Sequence, residues 1–188
     1  MHILNWGSRL CSVALILMLA ACSSTNKVES NLGLEDVPDW VNKGTQTLNN
    51  KDGRLFHGVG QASAMGDMAL QKSVADDRAR AEVARILSSF LDIVSNDYLA
   101  SEKVANASVN TESVSRQIKN LSKVNLSGSR IIGSYRDTKN NIIYSIAELD
   151  MQRVKETLKA VNDMNEDLQR YIETHADNVF DTMTKGKK

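Results

Sequence analysis

The chain has no surplus charge of either sign. Its Lys and Arg residues number 23 and its Asp and Glu residues 23, and no basic run gathers the cations. That balance argues against nucleic acid as a partner, because phosphate backbones are held by clustered positive charge. Cysteine is scarce, with only Cys11 and Cys22. Long apolar runs are missing too. The run Leu10–Ala21 has 12 residues, whereas a bilayer-spanning helix needs about 20. No G-x-S-x-G motif and no metal-ligand spacing occurs, so nothing in the pattern points to hydrolase or zinc chemistry.

What is present begins at that short apolar run. Arg9 precedes it, no acidic residue does, and polar residues follow at once as "CSST". A basic segment followed by a short apolar one is the pattern of a secretory signal. Leu19-Ala20-Ala21-Cys22 is similar to the lipobox of bacterial lipoproteins. The resemblance implies diacylglycerol on the Cys22 thiol, cleavage before Cys22 and acylation of the new amine. An ordinary signal with a chance cysteine is the alternative. On the lipoprotein reading residues 1–21 are a signal peptide, Cys11 leaves with them, and the remaining cysteine carries lipid. The mature protein then has no thiol chemistry and no disulfide. Ser23, where inner-membrane lipoproteins carry aspartate, implies the outer membrane, with the domain facing the periplasm.

Residues 22–35 read as a lipidated tether, polar and without periodicity. The 13 residues Ser23–Glu35 reach roughly 45 Å when extended. In "DVPDWVNKG", Asp36 is expected to cap a short helix, with Pro38 in its first turn and Gly44 at its end. Trp40 is read as an anchor pinning the tether to the domain; a ligand-stacking role is the alternative. Arg54–Ala62 alternates as a strand, with Phe56, Gly58, Gly60 and Ala62 forming a nearly bare face for a helix. Met65–Leu99 reads as one long helix through Ala69, Asp76, Ala79, Val83, Leu87, Phe90 and Val94. Glu102–Lys123 keeps a weaker helical period in Val104, Ala107, Thr111, Val114, Ile118 and Leu121; a mobile loop is the alternative. Asn125–Arg136 and Asn141–Leu149 read as a hairpin turning at Asp137–Asn140, with Gly128 and Gly133 marking bulges or close approaches.

Asp150 is placed to cap a final helix through Val154, Leu158, Val161, Leu168, Ile172 and Val179, interrupted only by Asn165. Its narrow apolar seam suits a domain edge or another subunit. The order of elements predicts an α+β domain over 36–150: a small antiparallel sheet built strand–helix–helix–hairpin, with helices on one face. Residues 151–188 add a long C-terminal helix and a frayed tail.

The densest charge is "DDRARAE", with Asp76, Asp77, Arg78, Arg80 and Glu82. Four-residue steps on a helix usually make a solvated face. The sharper reading is a subunit-contact surface on which charges fix register. His57 and His175 stand far apart in sequence and read as structural or solvated. Gly58 and Gly60 fall short of a dinucleotide loop, because Ser63 stands where a third glycine is needed. No cofactor and no metal is expected, and no catalytic residue.

Several motifs occur in a fixed order. Pro38-Asp39-Trp40 follows the lipobox, then Gly58-x-Gly60-x-Ala62, then Ala75-Asp76-Asp77-Arg78-Ala79-Arg80-Ala81-Glu82. Leu126, Gly128, Tyr135, Asp137 and Tyr144 close the series. Over Pro38–Asp150 the chain resembles the LPP-twenty family, named for a membrane-associated Helicobacter lipoprotein. That family includes the flagellar lipoprotein FlgP, which builds a ring or disk around the motor. The resemblance implies a non-enzymatic, self-assembling outer-membrane lipoprotein, with flagellar basal-body ring proteins as partners and motility as the process. The segment after Asp150 departs from the shorter flagellar members. The other function class is a monomeric, lipid-anchored binding module for a glycan, peptide or apolar ligand, with Trp40, Tyr135 and Tyr144 as stacking candidates.

Overall fold

The computed structural model describes residues 32–48, 53–104, 110–126, 128–161 and 164–185. The chain separates into two compact units, Met1–Ser30 and Asn31–Lys188, and every described residue belongs to the second. Cys22 and most of the tether lie outside the described residues.

The first element among the described residues is a single helical turn, α1 (Asp39–Asn42), followed by a 3-10 turn over Gly44–Thr47. Asp36 does not cap it, contrary to the expectation. Pro38 occupies the N-cap position with no side-chain bond, and its carbonyl accepts from Val41 N at 2.9 Å. The proline forces Val37 before it away from helical backbone, and Asp36, one residue further upstream, sits in the left-handed region at φ 56°. Gly44, at φ 70°, ends the turn as its freedom allows.

Strand β1 (Leu55–Ala62) pairs antiparallel with β3 (Ile142–Asp150), and β3 pairs antiparallel with β2 (Arg130–Asp137). The sheet order is therefore β1-β3-β2. Between β1 and β2 the chain runs through α2 (Met68–Val104) and α3 (Thr111–Leu126); after β3 it runs through α4 (Met151–Leu158) and α5 (Glu166–Lys185). This is the expected α+β architecture, a three-stranded antiparallel sheet with helices packed on one face.

The glycine face of β1 explains how closely α2 sits. A Cβ at Gly58 would stand 2.5 Å from the Ala79 carbonyl oxygen and 2.6 Å from Val83 N, and one at Gly60 would overlap the backbone of Ala75, Arg78 and Ala79. Helix backbone thus fills the space that side chains occupy elsewhere. Phe56 beside these glycines meets Phe90 and Phe180 edge-on, with ring centroids 5.3 and 5.1 Å away. Val83, Leu87, Leu91, Val94, Leu121, Leu149, Val154, Leu158, Leu168 and Ile172 complete a core that draws on every long helix. At the start of α2 the expected stripe is one residue too long, because Ala69 is exposed. Asp67 caps the helix there, accepting from Ala69 N and Leu70 N.

The second helix begins later than the sequence period suggests. Asn110 caps it by accepting from Ser113 N at 3.0 Å, and Val114, Ile118 and Leu121 are its buried stripe. Asn125 and Leu126, read as strand, are its last turn. Asn125 is fully buried, and its Nδ2 donates to Leu121 O and Thr157 Oγ1. That amide ties α3 to α4 and holds the residue helical. The register of β2 slips between Ile131 and Gly133, as the glycine predicts. Gly128 makes a close approach instead, with Arg153 Nε 3.1 Å from its would-be Cβ. Asp137 organises the hairpin turn by accepting from Lys139 N, Asn140 N and Asn140 Nδ2.

Asp150 caps α4 as expected, accepting from Gln152 N. The single long C-terminal helix does not form. Asn165 is an N-cap, its Oδ1 accepting from Asp167 N and Leu168 N at 3.0 Å. A side chain that satisfies two otherwise orphaned donors starts a new helix more readily than it continues an old one. The break lets both apolar seams turn inward, so Leu168, Ile172, Ala176 and Phe180 are buried in this chain's own core.

Candidate functional site

The charged segment 76–82 does not lie on one surface. Asp76 turns toward the sheet and accepts from Ser145 Oγ, while Lys72 Nζ sits 2.6 Å from its other oxygen. Burial pushes the Asp76 carboxyl up, but the bonds from Lys72 and Ser145 outweigh it and hold the group below the usual carboxylate range. Asp77 and Arg80 make a loose surface pair at 3.5 Å. Arg78 Nη1 donates to the Gln61 carbonyl at 2.7 Å, which covers the end of β1. Glu82 pairs with Arg85, and the two side chains are joined by two bonds of 2.7 and 2.9 Å. Asp77, Arg78 and Glu82 reach the surface; Asp76 is a structural joint between helix and sheet.

The sheet face turned away from α2 carries a cluster that the sequence did not single out. His57 Nε2 lies 3.1 Å from Glu148 Oε2, and Arg130 Nη2 lies 2.7 Å from Glu148 Oε1. The three are neighbours because His57 and Arg130 flank Glu148 across the two ladders. Glu148 is 8 % exposed. Burial pushes its carboxyl up, yet the bonds from Arg130 and His57 prevail and lower it. Beside it opens a polar cavity of about 280 Å³, lined by Arg130, Glu148, Asp150, Gln152, Arg153 and Glu156, with Gly128 leaving it room. Alternation along β1 indicated which side His57 faces, but only the pairing register brings Glu148 opposite it.

The proposed stacking residues sit elsewhere. Tyr144 is buried, with Tyr135 tilted against it at 6.4 Å between centroids. The Tyr135 hydroxyl donates to the Asp36 carbonyl at 3.4 Å, which ties the incoming chain to the sheet. Trp40 is half-buried, and Val41 beside it is the buried side chain of that turn. Asn42 clamps the incoming chain through Leu34 in both directions.

A second concavity is apolar. It holds about 300 Å³ between α2 and α5, lined by Ile93, Asp97, Asn178, Val179, Thr182 and Met183. Among the described residues no group of three or more His, Cys, Asp or Glu side chains is placed to hold a metal ion, and no helix is long and apolar enough to cross a membrane. No protein-family model matches the chain, and no curated protein matches it either.

Proposed function

We propose that the chain is a lipid-anchored protein of the outer membrane, facing the periplasm, with a structural and self-assembling role rather than a catalytic one. The observation that carries this reading is Leu19-Ala20-Ala21-Cys22 followed by a polar tether and one compact unit. Several acyl chains anchor firmly, at about 0.8 kcal/mol per buried methylene, so the domain needs no apolar membrane surface of its own. The order of motifs from Pro38 to Tyr144 supports its most specific form, a ring or disk component of the flagellar motor.

The test has two arms. Labelled palmitate enters the wild-type chain and not Cys22→Ser, and the variant leaves the outer-membrane fraction; label retained by Cys22→Ser sinks the anchor. Deletion blocks motility and removes a periplasmic ring from tomograms of the motor. Normal swimming with an intact motor sinks the flagellar form and leaves the anchor standing.

The polar cavity beside Glu148 supports the second reading, a monomeric binding module for a small charged ligand. Arg153 and Glu156, with no ion-pair partner among the described residues, would receive groups of opposite sign. A soluble 23–188 chain that stays monomeric at high concentration favours that reading over assembly.

A further inference from the structure

The charge that cancels over the whole chain is segregated in space. From Ile86 to Glu102, α2 carries Asp92, Asp97 and Glu102 and no basic residue. Asp97 lines the apolar groove formed with α5, where Ile93 is 41 % exposed, and Asp92 directly precedes Ile93 in the chain. The acids farther along α5 are matched: Asp177 and Asp181 by Arg54, and Asp177 also by Lys155. Asp92 and Asp97 have no cationic partner among the described residues.

The opposite sign is on α3. Arg116, Lys119, Asn120, Lys123 and Val124 share its outer face at three- and four-residue spacing, while Val114, Ile118 and Leu121 face the core. Lys119 and Lys123 have no acidic partner among the described residues, and Val124 is 38 % exposed.

We infer that the outer face of α3 of a second copy docks in the α2/α5 groove, with Val124 against Ile93 and Met183 and with Lys119 and Lys123 facing Asp97 and Asp92. Helix-in-groove contacts of this kind take an apolar anchor with charges at its rim. Groove and helix are different surfaces of one chain. The contact is therefore heterologous, and each added copy presents a fresh groove, which is the geometry that builds rings or filaments. This inference rests on the proposal that the chain assembles with itself.

Residues 23–188 contain no cysteine and hold the whole compact unit, so single thiols can be placed cleanly. In Ile93→Cys/Val124→Cys, mild oxidation is expected to give a ladder of covalent multimers on a non-reducing gel. Each single variant gives none. Adding Lys119→Glu and Lys123→Glu to the double variant lowers the cross-linked yield at least tenfold, and Asp97→Lys recovers part of it. Assembly by mass in solution without a 93–124 link overturns this interface and leaves self-assembly intact. Dimers from Ile93→Cys alone overturn it too, since they place groove against groove. A chain that stays monomeric at every concentration removes both the interface and the assembly reading.

Discussion

Gly60 lies against the backbone of Ala79 so closely that a single methyl group on it would overlap the Ala79 amide nitrogen. The atoms it would meet belong to helix backbone, which cannot swing aside as a flexible side chain does. Gly60→Ala therefore has to push α2 off the sheet, a displacement felt along the core from Ala75 to Phe90. Overpacking of this kind costs about 3 kcal/mol, the upper end of the usual range. With ordinary urea sensitivity that lowers the unfolding midpoint by about 1–3 M. A midpoint unchanged from wild type would show that helix and sheet stand farther apart.

The Glu148 carboxylate makes the fold acid-sensitive. Its proton affinity in the folded state is lowered by Arg130 and His57 against the opposing effect of burial. A group with a depressed folded value contributes stability above its unfolded value and loses that contribution as pH falls through the folded one. The window therefore opens at the ordinary glutamate value of 4.5 and extends downward. Urea midpoints for wild type are expected to fall across that window, and those for Glu148→Gln to fall less steeply. A residual slope remains in the variant, because Asp76 and Asp137 are also held low. Parallel curves for the two proteins would remove Glu148 from the acid response.

What the sequence disclosed and what it hid divide along one physical line. Periodicity is local, so the face of β1, the long helix, the hairpin and the Asp150 cap were all legible in "RLFHGVGQA", "NIIYSIAEL" and their neighbours. Register is not local. His57 and Glu148 meet across 91 residues of sequence, and nothing within either segment names the other. Asn165 was legible but outweighed: Asn-Glu-Asp-Leu is a helix start, yet the apolar seam continuing from Leu158 to Leu168 argued for one unbroken helix. Asn125 misled in the other direction, since it was read as the start of the strand running to Arg136, whereas Thr157 supplies the tertiary bond that keeps it helical.

The charged run on α2 predicts two different outcomes for adjacent aspartates. Asp76→Ala leaves the fully buried Ser145 hydroxyl with only Ser134, at 3.3 Å, to bond. Losing its hydrogen bond to a charged group costs about 1.5–3 kcal/mol. Asp77→Ala removes one half of an exposed pair and changes stability by about 0.5 kcal/mol or less. Thermal or urea unfolding of the two variants side by side separates them. Equal effects would return Asp76 to the solvated face on which its sequence neighbours sit.

Asn165 sets where the last helix starts, and its substitution should show whether the break near residues 159–165 is imposed by that side chain or by the core. Asn165→Ala removes the acceptor for Asp167 N and Leu168 N and costs about 1 kcal/mol. Asn165→Asp keeps the acceptor and adds a negative charge at the positive end of α5, so it matches or exceeds wild type. If the side chain alone imposed the break, Asn165→Ala would gain helix signal in circular dichroism, as α4 and α5 fuse. The burial of Val154 and Leu158 on one side and of Leu168, Ile172 and Phe180 on the other argues otherwise. A fused helix cannot turn both seams into the same core, so the expected result is lost stability with no gain in helix. A gain in helix without lost stability would place control of the break in Asn165 itself.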